Sequence, residues 1–297
     1  MRIAEHLRRF SKKENSLAHE DYAYCEELVR REDRDRWLAS LFIPQPSRQY
    51  IHALFAFSFE IARVPEIVSE PLLGEIRFQW WRDLLNANGE ASASGNPVAS
   101  ALMDTITRAS LPVSPLLELL DARLRDIYNE PIRSVAELEF YTRAAAGGLF
   151  ELAAQACEGK RASPNAEAAS HAGIVYGMTG LLRALPWHCA RRKLYIPEVV
   201  LKDAGADPQD FFEGRASPAV FTALTEMRAL TRKHLQAFGT KLLAVKDGGR
   251  AAFLAVGLCE PYLRKMEEPT YNPFYTPIEL PQWKRQWILW RTARRWG

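Results

Sequence analysis

The sequence has few of the features that mark the common classes of site. Its four cysteines, Cys25, Cys157, Cys189 and Cys259, lie far apart and form no C-x-x-C pair. This spacing argues against a zinc site and a disulfide framework, so we expect free thiols in a reducing compartment. The chain also contains no G-x-G-x-x-G, no P-loop, no G-x-S-x-G and no H-E-x-x-H. Nucleotide-cradling loops, serine nucleophiles and zinc-protease helices are therefore not predicted.

Long apolar runs and a strong charge of either sign are absent too. No stretch of about 18 apolar residues occurs, so no transmembrane helix is predicted. The N-terminal MRIAEHLRRFSKKE lacks the apolar stretch of a secretory signal. The formal net charge is only +3, which is too small to mark a nucleic-acid binder. We therefore predict a cytoplasmic protein without a nucleic-acid partner.

Helical periodicity dominates what is present. SRQYIHALFAFSFEIARV, GEIRFQWWRDLL and SPLLELLDARLRDIY each repeat apolar residues at the spacing of one helix face. AELEFYTRAAAGGLFELAAQACEG predicts a long helix, in which Gly147 and Gly148 would permit close packing or the approach of a ligand. Hydrophobic residues make up 47% of the chain, enough for a sizeable core. The sequence thus predicts one all-α domain over residues 1–297, with about eight to eleven helices.

Several phrases occur together in the order typical of one enzyme family. They are YCEELVRRED, SRQYIHALFAF, GEIRFQWWRDLL, YTRAAAGGLFELAAQACEG and LRALPWHCARRKLYIP. Over nearly the whole chain they resemble the squalene/phytoene synthase family. The resemblance implies an all-α isoprenoid-synthase fold whose central cavity holds two prenyl diphosphates between two aspartate-rich helices. In such enzymes Mg²⁺ neutralises the leaving diphosphate, and this hard cation prefers carboxylate and water oxygens.

The second aspartate motif of that family has lost its carboxylates in this chain. The two aspartates of its D-x-x-x-D pattern fall on Ala184 and His188. One acidic and two amide positions of the family cavity fall on Trp187, Gly177 and Gly180. We expect Pro186 to kink or end the helix, because proline removes a backbone donor. The segment therefore resembles the frame of a metal–diphosphate site without its ligands.

The first aspartate motif is depleted in either of two registers. Read without a gap, the aspartates of D-D-x-x-D fall on Ala62, Arg63 and Glu66. Aligned on the following IVSE, they fall on Pro65, Glu66 and Ser69. Glu66 is the only carboxylate in both registers, and Pro65 is expected to disturb the helix. One carboxylate with water is a poor Mg²⁺ site, so no metal or other cofactor is predicted.

A narrower resemblance fits these losses. FEIARVPEIVSE and LRALPWHCARRKLYIP resemble a non-catalytic branch of the family that includes mitochondrial complex I assembly factor 6 and bacterial relatives. This resemblance implies an assembly role at the respiratory membrane, with complex I subunits or assembly factors as partners. Three functions stay open: a scaffold pseudoenzyme, a binder of prenyl phosphate or phospholipid, and a divergent prenyl transferase that recruits Mg²⁺ through Glu66 and the diphosphate. The carboxylate count ranks the transferase last, so the protein is not expected to be an enzyme.

The segment that resembles a metal–diphosphate site also suggests an anion site. Its candidate residues are Arg183, Arg191, Arg192, Lys193 and Tyr195. The basic triplet is either a solvated face or a phosphate-binding group, because arginine forks match phosphate oxygens. Arg183 is expected to point into the cavity, with Glu60, Glu66 or a bound anion as its partner. His188 is either a hydrogen-bonded structural histidine or a ligand-binding or acid–base group.

The C-terminal ELPQWKRQWILWRTARRWG combines four tryptophans with five basic residues and allows two interpretations. A basic, tryptophan-rich amphipathic helix can lie on an anionic membrane. The same tryptophan stripe can instead pack on the domain. In the first case residues 283–296 would make a peripheral contact with the inner face of the membrane.

Overall fold

The computed structural model describes residues 19–87, 95–159 and 165–296, and their regular structure is entirely helical. The predicted all-α fold is confirmed. Within these ranges no helix is both long and apolar enough to cross a membrane. The N-terminal residues 1–18, on which the prediction of no secretory signal depends, lie outside the described ranges.

Sixteen α-helices are found in the described ranges. In chain order they are α1 (19–32), α2 (Arg34–Ser40), α3 (Ser47–Ile67), α4 (Pro71–Asn86), α5 (Pro97–Ala109), α6 (Ser114–Tyr128), α7 (Val135–Thr142), α8 (Gly148–Glu158), α9 (Ala166–Arg183), α10 (Leu185–Ala190), α11 (Glu198–Ala204), α12 (Pro208–Phe212), α13 (Pro218–Leu242), α14 (Asp247–Arg250), α15 (Cys259–Lys265) and α16 (Gln282–Trp296). A π-helical segment, Arg143–Gly147, joins α7 to α8, and a 3-10 helix, Ala251–Leu258, joins α14 to α15. Ten of the sixteen have eight or more residues, within the predicted eight to eleven. The other helices are too short to be recognised from the periodicity of their apolar residues.

Side-chain caps and prolines explain where several helices begin. Asn96, Ser134 and Ser217 each accept a hydrogen bond from the backbone N–H three residues later, at the starts of α5, α7 and α13. These caps satisfy donors that have no partner within the helix. Pro97 and Pro218 follow two of the caps directly, at positions where the missing proline N–H costs nothing.

Two clusters of buried apolar side chains form the interior. The first contains Phe57, Phe150 and Phe253, all at most 2% exposed, and the second fills the space among α9, α11, α13 and α15. Trp37 and Tyr176 pack against both clusters. The two clusters are therefore in contact, and we expect the chain to unfold as one cooperative unit.

The closest packing of helices is between α9 and the π-helical segment. A Cβ on Gly173 would lie 2.3 Å from the backbone nitrogen of Gly147 and 2.4 Å from its Cα. Gly147 thus serves helix packing, one of the two roles that the sequence predicts for the glycine pair. Gly148 packs against α6, where a Cβ would lie 2.8 Å from Cβ of Pro115. The predicted long helix therefore runs from α7 to α8 with a π-helical turn at its crossing with α9.

We predict that Gly173→Ala strongly destabilises the fold. The added methyl group would overlap the backbone of Gly147, and such overpacking is expected to cost about 3 kcal/mol or more. The matched control is Gly180→Ala in the same helix, where a Cβ meets nothing within 4 Å. That change is expected to stabilise the fold by about 0.5–1 kcal/mol, because alanine favours helix. Urea unfolding followed by circular dichroism measures both, and equal stabilities would contradict the close approach.

Candidate functional site

A cavity of about 260 Å³ lies between the two segments to which the sequence comparison assigns the aspartate motifs. Its walls come from α3, α6, α7, the π-helical segment, α9, α10 and the loop after α10. The candidate residues that line it are Ala62, Pro65, Glu66, Gly177, Gly180, Trp187, His188, Lys193 and Tyr195. The candidates outside its wall are Arg63, Ser69, Arg183, Ala184, Arg191 and Arg192. The fold thus brings most of the replaced positions together around one space.

Helix α3 forms the wall that corresponds to the first motif. Ala62, Pro65 and Glu66 line the cavity at the three- and four-residue spacing of one helix face. The helix continues past Pro65 to Ile67, so the expected disturbance does not occur before the last turn. The ungapped register places its three positions within α3, whereas Ser69 of the gapped register lies beyond the helix end. The geometry therefore favours the ungapped register.

Glu66 is the carboxylate that α3 presents to the cavity. Burial raises the pKa of this side chain, and the positive charges of Arg191 and Arg63 act in the opposite direction. A raised pKa favours the protonated acid relative to an exposed glutamate. Metal ligation needs the deprotonated carboxylate. The environment of Glu66 thus works against a role as the sole Mg²⁺ ligand.

The helix that corresponds to the second motif is interrupted, as its proline predicts. α9 ends at Arg183, Ala184 is its C-cap, and Pro186 lies in the first turn of α10. Ala184 therefore lies at a helix junction outside the cavity wall, while His188 on α10 faces the cavity. The two motif positions no longer share one continuous helix face.

The two glycines of α9 shape the cavity differently. A Cβ on Gly177 would lie 2.8 Å from Cβ of Thr142, so this glycine lets α9 approach α7. A Cβ on Gly180 would meet nothing within 4 Å. Gly180 therefore leaves open space in the wall, at a position where the family frame carries a larger polar side chain.

A buried charge cluster forms the wall opposite α3. Asp126 of α6 accepts hydrogen bonds from Arg123 Nη1 at 3.0 Å, from Tyr141 OH at 2.8 Å and from Tyr195 OH at 3.0 Å. Lys193 Nζ donates to the backbone carbonyl of Asp126 at 2.8 Å. Burial raises the pKa of Tyr195, so its hydroxyl stays protonated and donates. We refer to these five residues as the Asp126 cluster.

Sequence reasoning missed three members of the Asp126 cluster: Arg123, Asp126 and Tyr141. The sequence feature that could have indicated this cluster is the three-residue spacing of Arg123 and Asp126 in α6. Such pairs are common on solvated helix surfaces. Nothing local distinguishes a buried pair from an exposed one, so the tertiary structure was needed to find it.

His188 lies beside the Asp126 cluster. Its ring centroid is 4.8 Å from that of Tyr195 and 5.1 Å from that of Trp187. Burial lowers the pKa of the imidazole to about 4, although the nearby Asp126 carboxylate acts in the opposite direction. The ring is therefore neutral at neutral pH. Its Nδ1 is buried without a hydrogen-bond partner among the described residues, which is unusual for a structural histidine.

The basic triplet does not act as one group. Arg191 is exposed and stacks on Trp187, with its Cζ 3.8 Å from the ring centroid. Arg192 is also exposed and lies 4.8 Å from the ring centroid of Phe212. The chain turns at Arg192, whose φ is 55°, and Lys193 alone points into the cavity. The triplet is thus a solvated face at two positions and an inward cation at the third.

Arg183 lines a second, polar cavity of about 530 Å³ rather than the first. The two cavities adjoin, because Tyr176 and Gly180 line both. Arg183 Nη1 donates to Asp35 Oδ2 at 3.0 Å. The predicted pairing with Glu60 or Glu66 is therefore wrong, and the bound anion stays a prediction. Asp35 lies at the start of α2, outside the motif helices, so the motif comparison could not predict this pairing.

Asp35 is bonded on both of its oxygens. Arg285 of α16 donates to Oδ1 at 3.0 Å, and Tyr262 OH donates to Oδ2 at 2.7 Å. The guanidinium of Arg183 also lies over the ring of Tyr262, at 3.8 Å from its centroid. Two arginines and a tyrosine compensate the burial of this carboxylate. The cluster joins α2, α9, α15 and α16.

The residues around the cavities do not fit a Mg²⁺ site. Asp35 and Asp126 are each bonded to arginine and tyrosine donors, which occupy the oxygens that a cation would need. In the described part of the chain no three His, Cys, Asp or Glu side chains are arranged to hold a metal ion. Mg²⁺ binds carboxylates, phosphates and water rather than imidazole. Apart from Glu66 and the bonded Asp126, the polar groups that line the first cavity are cationic, hydroxyl and imidazole groups, which suit an anionic or hydrogen-bonding ligand.

An all-α bundle in which two motif helices face a central cavity is the architecture of isoprenoid synthases. The family profile described as squalene/phytoene synthase matches residues 29–291. The chain belongs to the squalene/phytoene synthase family. The resemblance predicted from the sequence is confirmed.

The curated relatives carry two kinds of name. The chain is 28% identical to NADH dehydrogenase (ubiquinone) complex I, assembly factor 6 of Rattus norvegicus, over 88% of this chain and 78% of the relative. It is 28% identical to the human protein of that name, over 86% and 77%. It is 25% identical to 15-cis-phytoene synthase of Synechococcus elongatus, over 90% of both. The predicted similarity to the assembly factor is thus confirmed.

Two solved structures show the same fold. A dehydrosqualene synthase in complex with a ligand aligns with a TM-score of 0.82 at 16% identity, over 94% of this chain and 97% of that one. Squalene synthase HpnC from Alicyclobacillus acidocaldarius aligns with a TM-score of 0.75 at 21% identity, over 86% and 97%. These likenesses establish the architecture, and the chemistry depends on the residues at the site.

We predict that Asp126→Ala costs about 3–5 kcal/mol of unfolding free energy, because it removes the buried carboxylate that Arg123, Tyr141 and Tyr195 all bond. Asp121→Ala in the same helix is the control. The Asp121 side chain is 67% exposed and pairs with Arg82 at the surface, so its loss is expected to cost less than about 1 kcal/mol. Urea unfolding measures both variants. A cost at Asp126 no greater than that at Asp121 would contradict a buried, compensated cluster.

We also predict that His188→Gln alters how stability depends on pH. The folded pKa of about 4 lies below the unfolded value, which is about 6.5. The unfolded chain therefore takes up this proton first, and stability falls as pH decreases through this window. The parent should lose about 1–2 kcal/mol relative to His188→Gln between pH 7 and 5. His52, whose pKa burial also lowers to about 4, is common to both proteins and cancels. A pH-independent difference would refute the assignment.

Proposed function

We propose that this protein is a catalytically degenerate member of its family that serves the assembly of respiratory complex I. In this proposal the central cavity binds a lipid phosphate without cleaving it. The observation that carries the proposal is the pairing of an open cavity with lost metal ligands. Ala62, Ala184 and His188 stand at aspartate positions, and Glu66 is the carboxylate left in the ungapped motif.

The loss of metal ligands bears on the reaction step itself. Ionising a prenyl diphosphate separates an anionic leaving group from a carbocation, and Mg²⁺ normally stabilises the anion. Removing one preorganised stabilising group typically slows a reaction by about 10²–10³-fold. Several such groups are replaced here. The proposal therefore assigns the protein no prenyl transfer and no resident cofactor, and Mg²⁺ belongs to the alternative of a divergent prenyl transferase.

The lining of the cavity supports a ligand with a phosphate head and an apolar chain. Lys193 supplies a cation, and His188 and Tyr195 supply polar wall. Ala62, Pro65 and Leu181 supply apolar wall. A prenyl phosphate and a phospholipid share this chemistry. An open cavity favours such a binder over a scaffold with a collapsed interior.

The link to complex I depends on the relatives. The proteins from Rattus norvegicus and Homo sapiens are named complex I assembly factors, and each similarity covers more than three quarters of the named protein. We propose complex I subunits or further assembly factors as partners. A position at the inner face of the membrane, with peripheral contact through residues 283–296 and no nucleic acid, is part of the same proposal.

We predict no condensation of farnesyl or geranylgeranyl diphosphate by the purified protein with Mg²⁺ or Mn²⁺. Product analysis after incubation at ordinary enzyme concentrations is the measurement, because the expected loss of rate is several factors of about 10²–10³. Glu66→Gln is the companion variant. Metal-dependent product formation that this variant abolishes would instead establish the divergent prenyl transferase.

The assembly role is tested in the organism from which the chain comes. Removing the gene is expected to lower the amount of assembled complex I, measured by native electrophoresis and NADH oxidation, and the parent chain should restore it. Gly180→Leu fills open space in the cavity wall, and Gly239→Leu places the same side chain in open space on α13. We expect Gly239→Leu to restore assembly and Gly180→Leu to fail while still folding. Unchanged complex I after removal would refute the role, and full rescue by Gly180→Leu would refute the need for a ligand.

A further inference from the structure

Helix α16 exposes three indoles on one side. Trp283, Trp287 and Trp290 are 69%, 52% and 41% exposed. Their spacing of four and three residues places them within a narrow arc of one helix face. The rings of Trp287 and Trp290 stack, with centroids 5.2 Å apart and planes at 24°. We refer to these three residues as the indole face.

The charge around the indole face has one sign. Lys284, Arg291, Arg294 and Arg295 are exposed beside the three tryptophans. α16 contains no aspartate or glutamate. Helical spacing places Lys284, Arg291 and Arg295 between the indole face and one edge of the buried face. It places Arg294 within the arc of the indole face, where its Cζ lies 5.0 Å from the ring centroid of Trp290. The exposed side of α16 is therefore aromatic and cationic along its whole length.

The opposite side of α16 is held in the domain. Leu289 is fully buried, and Trp296 packs on Phe238 with ring centroids 5.8 Å apart. Arg285 donates to Asp35 and, through Nε, to the carbonyl of Leu280 at 2.8 Å. The helix is thus a fixed part of the fold, and its three indoles are not needed to fill the core.

We propose that α16 docks on an anionic phospholipid surface, with the indole face in the headgroup layer and the helix axis parallel to the membrane. Tryptophan favours the interface because its ring is apolar and its N–H is polar. The exposed cations of a helix that contains no acidic residue attract anionic headgroups. The sequence left a packed helix and a membrane helix as alternatives, and α16 combines both on opposite faces. This docking specifies the membrane contact of the proposed function and rests on it in that respect. It requires no ligand in the cavity and no complex I, so vesicle binding tests it separately from the assembly role.

A second exposed apolar stripe, on α4, differs from the indole face in the charges around it. Leu72, Leu73, Ile76 and Trp80 form a stripe on α4, and Trp80 is 40% exposed. Glu75, Arg77 and Asp83 lie on the same helix, so both signs of charge flank this stripe. Mixed charge gives no attraction to an anionic surface. Trp80 is therefore the matched control for Trp290, with equal exposure in a different electrostatic setting.

The test is co-sedimentation of the full chain with lipid vesicles. We expect binding to phosphatidylcholine vesicles that contain about one third phosphatidylglycerol, and none to phosphatidylcholine alone. The emission of the exposed tryptophans should shift to shorter wavelength on binding. Salt at about 0.5 M should release most of the protein, because the Debye length then falls to about 4 Å. Equal binding to both vesicle types, or no binding at all, would overturn the proposal; in the latter case another protein is the candidate to cover the face.

Variants locate the contact on α16. Changing Arg291, Arg294 and Arg295 to Ser should weaken binding by roughly 100-fold, since each cation near the surface contributes about fivefold. Changing Lys202, Lys233 and Arg264 to Ser removes the same charge from exposed positions on other helices and should have a much smaller effect. Trp287→Ser with Trp290→Ser should also weaken binding, whereas Trp80→Ser should not. Circular dichroism and melting verify that each variant folds. Parent-like binding by the arginine variant, or equal loss in both charge variants, would refute docking through α16.

Discussion

The backbone contact between Gly173 and Gly147 sets the distance between the two walls of the central cavity. α9 can lie against the π-helical segment only because neither residue has a side chain at the crossing. That segment continues into α7, which carries Tyr141, and α9 carries Gly177 and Gly180. The position of one cavity wall relative to the other therefore depends on the contact between the backbones of these two glycines. The contact lies outside the cavity lining, so the fold at this crossing does not depend on which side chains line the cavity.

Arginine pairing decides the chemistry of the cavities. Asp35 and Asp126 are buried carboxylates, and each is bonded to arginine and tyrosine. A carboxylate whose oxygens accept hydrogen bonds from buried donors is not free to bind a cation. Charge at these two positions is thus balanced within the protein.

The Asp35 cluster also connects the interior to the surface. Arg285 lies on the buried side of α16, and the indole face lies on the other side of the same helix. Asp35 holds Arg183 beside the polar cavity as well. The orientation of α16, and hence of its exposed tryptophans and cations, is therefore determined by a buried ion-pair cluster. A membrane contact through this face would need no rearrangement of the domain.

The sequence by itself determined the helical fold and the family, because these depend on periodicity and on phrases read in order. It also predicted the helix break near Pro186, and it left close packing and the approach of a ligand as alternatives at Gly147, of which the structure shows the packing. Only the tertiary structure decided that Arg183 pairs with Asp35, 148 residues away. It likewise decided that Arg123, Asp126, Tyr141 and Tyr195 meet and that one face of α16 is exposed. Such contacts join distant segments, and local spacing carries no information about which distant side chain completes a buried charge.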